Sequence, residues 1–236
     1  MWTQKNCKLP EEPETKDDDT DYYYLTNTKI KNTENSAWKI KNIELNGTNS
    51  RLKLKDIKIN TNKYFSNYSV SIWHDDNMKL TKSAKEIVKE MENEELGVFN
   101  HYTGTDCLYK EIERYETIFS EENNQELLKL QNQKEKYKKK ISEYEGLYSG
   151  GFLVRKNSQA VDQFNDGWHK ENIEFSTRDE ISLPYVAKEK KLSIYKFKGH
   201  IIEGNPYVKY DGSKKEKEIM GAINDNDIKK VFGLLN

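Results

Sequence analysis

Between Ser69 and Asn77 the chain reads SVSIWHDDN, an apolar run that breaks off into two carboxylates and an amide. A β-branched and aromatic run of this length reads as a strand. Its abrupt acidic end places Asp75 and Asn77 just beyond the strand's C-terminus. In open α/β sheets ligands gather outside that edge. The rest of the chain alternates strand-like and helix-like stretches, the pattern of helices layered on a sheet. The expectation is an α/β sandwich with a mostly parallel central sheet, in which the strand ending at Trp73 is central and buried.

Other elements follow from local patterns. Tyr22 to Leu25 and WKIKNIEL, from Trp38, read as short strands, and Asn46-Gly47 reads as a turn. Residues 50–66 suit a helix. Thr81 or Ser83 can cap a helix running to about Met91. LGVFNH, Leu96 to His101, is a strand. Residues 106–145 are helical by composition, and the stretch from Asn124 to Tyr144 is expected to be largely exposed. Gly150-Gly151 leads into the strand FLVRK, where it offers either a tight turn or a close backbone approach to a ligand. Helices are expected from Ser158 to His169 and after Thr177, and LSIYKFKG alternates as a strand. Short amphipathic helices are expected in the tail from Gly212. The domain reading is a polar segment 1–21, a main domain 22–200 and an extension 201–236.

Composition removes several function classes. The 39 basic and 40 acidic residues balance, so nonspecific nucleic-acid binding is not expected. The run Lys134 to Lys140 reads as a solvated helix face among acids. Hydrophobic residues make up only 34%, but fifteen tyrosines add apolar area that can carry a core. Two cysteines, Cys7 and Cys107, lack zinc spacing and suit a reducing compartment. No apolar run reaches the length of a membrane span, and the N-terminus has no signal-peptide core. The expectation is a cytoplasmic protein.

The chemistry begins at Asp75 and Asn77. Separated by one residue, they can aim oxygen atoms at one point, as a hard divalent cation requires. A cation there would offset charge building on a leaving diphosphate. The neighbouring Asp76 is expected to face solvent.

Four stretches, in order, resemble a bacterial and plant family of glycosyltransferase-like domains with a GT-A-type nucleotide-sugar fold. They are SIWHDDN (Ser71 to Asn77), GVFNHYTGTDCLYKEI (Gly97 to Ile112), the segment Gln131 to Ser158 with its GLYSGGFLVRK turn and strand, and WHKENIEFSTRDEISLPYVAKE (Trp168 to Glu189). The resemblance covers about residues 22–190. It implies a GT-A-like three-layer sandwich and a transferase that moves a sugar from a nucleotide-sugar to a glycan or other hydroxyl acceptor, with Mn2+ or Mg2+ as cofactor. It also implies a place in polysaccharide biosynthesis, with association with other glycan-synthesis proteins as a further expectation.

Carried onto this chain, the resemblance gives Asp75 and Asn77 the metal and diphosphate contacts. Gly150, Gly151, Arg51 and Lys55 lie toward the donor phosphates. His101 is either a substrate contact or a satisfied structural imidazole. Asp179 becomes base or acceptor clamp in the same cleft as Asp75, with Arg178 as its charge balance; the alternative is an Arg-Asp pair that starts a helix and braces the fold. Trp168, Pro184 and Tyr185 are expected to pack. The sequence departs from the family twice. No apolar strand and small-residue loop precede the first matched stretch, and no Arg stands between His101 and Cys107. Those departures keep a second class open, a non-catalytic nucleotide-sugar or glycan-binding module of the same fold. The Asp75-Asp76 pair keeps a third, a metal-dependent phosphoesterase.

Overall fold

In the computed structural model the described residues are 9–27, 30, 35–44, 50–119, 124–212, 218–219 and 222. Two short strands, β1 (Tyr22–Thr26) and β2 (Trp38–Asn42), are followed by helices α1 (Ser50–Ile59) and α2 (Thr61–Tyr64). Strands β3 (Val70–His74) and β4 (Met78–Leu80) precede helix α3 (Ala84–Glu90) and strand β5 (Leu96–Asn100). Helices α4 (Leu108–Phe119) and α5 (Asn124–Tyr137) lead to the long strand β6 (Tyr148–Lys156). Helices α6 (Gln159–Glu174) and α7 (Asp179–Glu189) are followed by strands β7 (Ile194–Phe197) and β8 (Val208–Tyr210). Most of the tail expected to form short helices, and Cys7, lie outside the described residues.

The central sheet has the order β3-β6-β5-β7. The strands β3, β5 and β7 point one way, as expected of a mostly parallel sheet. β6 runs against them, so its ladders to β3 and β5 are antiparallel while β5 pairs with β7 in parallel. The position of β3 corrects the sequence reading: it is an edge strand, half-buried throughout. The buried interior strands are β5, whose first four residues are buried, and β6, whose first eight are. In β6 the cause is legible. Its apolar run Phe152-Leu153-Val154 continues into glycines and a serine small enough for two covered faces.

Three layers result. On one face Leu96, Val98 and Leu153 pack against Ile112, Leu130 and Tyr137 of α4 and α5, and against Phe164, Trp168, Ile181 and Leu183 of α6 and α7. On the other, Phe99, Phe152, Val154 and Phe197 meet Ile87 of α3, with Met78, Leu80, Tyr207 and Tyr210 around β4 and β8. Helix α3 starts with the expected cap: Ser83 accepts from Glu86 N while the Glu86 side chain accepts from Ser83 N, a capping box. Ser158 caps α6 in the same way, through Val161 N. Helix α5 is largely exposed as expected, with one buried stripe of Leu130, Gln133 and Tyr137, but it ends at Tyr137 rather than at Tyr144. Trp168 packs as expected, its Nε1 donating to Asp179 O and Ser182 Oγ at 3.1 Å each.

Arg155 ties the layers together. Its guanidinium is fully buried on β6 and donates to Ile59 O at 2.6 Å, Lys58 O at 2.7 Å and Thr61 Oγ1 at 2.8 Å. A fourth bond reaches Asn165 Oδ1 on α6 at 3.3 Å. The two carbonyls end α1, where the helix dipole is negative and the acceptors have no intrahelical partner. Arg155→Met keeps the apolar stem, strands Ile59 O and leaves Lys58 O only the Thr61 hydroxyl. It should lower unfolding free energy by about 3–5 kcal/mol, read as a lower urea midpoint at unchanged slope. A midpoint within error of the parent would remove Arg155 from this role.

Candidate functional site

Because β6 opposes β3 and β5, its first residues lie beside the C-terminal ends of both. Asp75 N donates to Gly151 O at 3.0 Å and His101 N to Leu147 O at 2.9 Å. Asp75, His101, Gly150 and Gly151 therefore share one edge of the sheet. The glycines stand inside β6 and form no tight turn. The register slips there: Val98 faces Leu153 but the next residue, Phe99, faces Ser149. Residues 150–152 bulge away from β5 while the ladder to β3 continues.

At this edge Asp75 Oδ1 accepts from Trp73 Nε1 at 3.0 Å. Its Oδ2 lies 3.2 Å from where a Cβ on Gly151 would stand. Asp76 is exposed. Asn77 Nδ2 sits 3.4 Å from the Tyr210 hydroxyl, and its Oδ1 is buried with no hydrogen-bond partner among the described residues. One carboxylate and one unsatisfied amide oxygen are a donor set for a hard cation that completes its shell from phosphate and water. Among the described residues no three His, Cys, Asp or Glu side chains converge, so a cation held by protein ligands alone does not fit.

The bulge also meets a buried charge cluster. Helix α1 sends Lys55 and Lys58, three positions apart on one face, toward Asp179 at the start of α7. Lys55 Nζ pairs with Asp179 Oδ1, and Lys58 Nζ lies 2.7 Å from Asp179 Oδ2. A Cβ on Gly150 would fall 2.8 Å from Asp179 Oδ2 and 3.1 Å from Lys58 Nζ, so only glycine leaves room for the pair. Gly150 and Gly151 thus sit between the Asp179 and Asp75 carboxylates. Burial disfavours the Asp179 carboxylate, but Lys55 and Lys58 outweigh it and hold the group well below the usual range. Burial also pulls Lys58 down, yet Asp179 and Asp75 together keep it above its ordinary value. For Lys55 burial wins, and its proton is held less tightly than usual. Lys58 was not singled out from the sequence. Its only signal there was the i, i+3 spacing to Lys55. Arg51 lies in α1, and its side chain is outside the described residues.

Arg178 faces another way. Its Cζ stands 4.3 Å from the centre of the Tyr115 ring, and the Tyr115 hydroxyl donates to Glu180 Oε1 at 2.8 Å. The charge balance at Asp179 thus comes from the two lysines rather than chiefly from Arg178. Glu180 lies within electrostatic reach of both Lys55 and Glu111, which joins this group to a third one. His101 is buried, its Nδ1 2.8 Å from Thr103 Oγ1, and its ring lies 4.3 Å from that of Tyr102. Burial first, then Arg114, pushes its pKa down to about 3, so the imidazole is neutral at physiological pH. Arg114, on α4, therefore brings a cation near His101 where the family's Arg is missing from the sequence.

Glu111 is paired with Arg114 through Oε1, while its Oε2 is buried without a hydrogen-bond partner among the described residues. Burial, only partly opposed by Arg114, pushes the carboxyl up to about 7. A carboxyl raised above its ordinary 4.5 binds its proton more tightly in the folded chain. Its stabilising contribution is present at low pH and is lost as pH rises from about 4.5 to about 7. Glu111→Gln should therefore gain stability relative to the parent across that window, by on the order of 3 kcal/mol. Urea titrations at pH 5 and pH 8 measure it; a stability difference independent of pH would contradict the assignment.

Among the described residues no helix is long and apolar enough to cross a membrane. No curated protein matches the chain. A sequence profile does: that of the TOD1/MUCI70 glycosyltransferase-like domain matches residues 15–203. The matched span runs from before β1 to beyond β7 and contains Asp75, Asn77, both lysines, His101, the glycine pair and Asp179. The chain belongs to the TOD1/MUCI70 glycosyltransferase-like domain family.

Proposed function

We propose that the chain transfers a sugar from a nucleoside-diphosphate donor to a hydroxyl acceptor, a glycan in the first instance, with Mn2+ or Mg2+ bound at Asp75 and Asn77. The observation that carries this reading is the unsatisfied Asn77 Oδ1 beside the Asp75 turn, at the sheet edge where the glycine bulge lies, in a chain of glycosyltransferase-like family. A bound divalent cation supplies charge stabilisation to the departing diphosphate. Lys55 offers an ammonium to the same phosphates. Gly150 and Gly151 keep the backbone bare beside them.

In the transfer the acceptor oxygen bonds to the anomeric carbon, the bond from that carbon to the diphosphate oxygen breaks, and the acceptor proton passes to the departing diphosphate, directly or through water. Of the two roles expected of Asp179, the surroundings favour the clamp. Two ammonium groups keep its carboxylate ionised and a weak proton acceptor, whereas a general base works best with a pKa near the operating pH. The same fact supports the second reading, a nucleotide-sugar or glycan-binding module without turnover.

Nucleoside diphosphate with Mn2+ should raise the melting temperature of the chain more than either does alone. Asp75→Asn keeps an acceptor for Trp73 Nε1 and removes the charge. It should abolish that joint effect while changing the ligand-free stability by no more than about 0.5 kcal/mol. Retention of the metal-dependent shift in the variant would unseat Asp75. Release of free nucleotide from a panel of sugar donors then separates transferase from binding module.

A further inference from the structure

Two buried ammonium groups share one carboxylate at the end of α1. Asp179 is 5% exposed and Lys58 8%. Asp179 Oδ1 accepts from Lys55, whereas Oδ2 is ion-paired with Lys58 at 2.7 Å without a hydrogen bond of good geometry. Buried charges are stable when paired one to one and costly otherwise. Among the described residues Asp179 is the one carboxylate in salt-bridge contact with either lysine, while Glu180, toward both, and Asp75, toward Lys58, act from farther away. Glu180 already accepts from Tyr115 and lies near Arg178, and Asp75 is bonded to Trp73. Lys55 is the open end of the cluster, its side chain 17% exposed against 9% for Lys58. Next to both stands Gly150, which presents no side chain.

We propose that Lys55 and Lys58 form a phosphoryl-anion site in which Asp179 is a resident counterion, and that a bound phosphate takes over one of its two lysine contacts. The carboxylate stands where a phosphate oxygen would otherwise be held, and it keeps two buried ammonium groups in place until the ligand arrives. The inference rests on the transferase reading only for the origin of the phosphate, which there is the donor's diphosphate. Free phosphate or pyrophosphate presents the same chemistry.

The test titrates the full chain with inorganic pyrophosphate, and separately with a nucleoside diphosphate, both in chelator so that no divalent cation contributes. Removing the internal competitor should help the ligand. Asp179→Asn is expected to bind pyrophosphate about tenfold more tightly than the parent, and Lys58→Met about tenfold more weakly. Asp179→Asn should melt lower than the parent and recover with pyrophosphate, which a purely structural carboxylate would not show. Lys55→Met leaves the Asp179–Lys58 pair intact and keeps the test valid if Asp179→Asn does not fold. Its affinity should fall about fivefold. Equal or weaker binding by folded Asp179→Asn, or unchanged binding by either lysine variant, overturns the proposal. Tighter binding of the nucleoside diphosphate than of pyrophosphate assigns the site to the donor; equal binding assigns it to a free phosphoryl anion. A chain that shows these signatures but releases no nucleotide from any donor keeps the lysine site and loses the transferase reading. A chain that turns a donor over with pyrophosphate affinity unchanged in Lys58→Met does the reverse.

Discussion

The guanidinium of Arg155 is the constraint on which the rest of this structure depends. It is a full charge with no carboxylate among its hydrogen-bond partners, which would be expensive without dense satisfaction. The two terminal nitrogens find it in the C-terminal carbonyls of α1, with Thr61 and Asn165 added, while Nε is buried without a partner among the described residues. Those carbonyls need donors as much as the guanidinium needs acceptors. One side chain therefore fixes the end of α1 against β6, and with it the direction in which Lys55 and Lys58 leave the helix. The lysines reach Asp179 beside the bulge on the same strand. Architecture and charge cluster are thus set by one residue and its neighbours on β6.

The polar groups at the sheet edge form a strip in which environment, rather than residue type, sorts the roles. Asp179 and Glu111 are both buried carboxyl groups. Asp179 faces two ammonium groups and stays ionised; Glu111 has one guanidinium and an unsatisfied oxygen, and holds its proton up to about pH 7. Carboxyls pushed apart in this way can serve as fixed counterion and as proton carrier. His101 sits between the Thr103 hydroxyl and the tilted ring of Tyr102, neutral and half-satisfied by Thr103. That surrounding suits a structural imidazole more than a proton shuttle. The aromatic content contributes here too: Tyr115 links Glu180 and Arg178, and Tyr137 stacks on Tyr185 at 3.8 Å beneath them in the core.

Much of this was legible in the sequence. The acidic end of SVSIWHDDN located the edge at which Asp75 and Asn77 stand, and LGVFNH located the strand whose end carries His101. Ser83 and Ser158 announced their helices, because capping is read from a few adjacent residues. The errors have one cause in common. The centrality of β3 was inferred from its apolar residues, yet an edge strand with a covered face needs them equally. The stretch around α5 is largely exposed, as its sparse apolar positions say, but its helix was read to Tyr144 from helix-favouring residues that continue past the observed end at Tyr137. Gly150 and Gly151 were open to either a turn or a close approach to a ligand; they stand inside β6, which excludes the turn, and the groups Gly150 approaches are Asp179 and Lys58.

The sequence alone determined the α/β alternation, the family and the segment that ends in Asp75, because each is carried by neighbours along the chain: periodicity, caps and an ordered set of motifs. Tertiary structure alone decided strand order, the run of β6 against its neighbours, and the company each charge keeps. Lys58 and Asp179 are separated by most of the domain, and nothing near either in sequence says that they meet. Their pairing exists because Arg155 pins the end of α1 to β6 and because Gly150 has no Cβ to stand in the way. Charge and packing over such separations are properties of the folded chain, since burial and proximity are what set a buried group's energy.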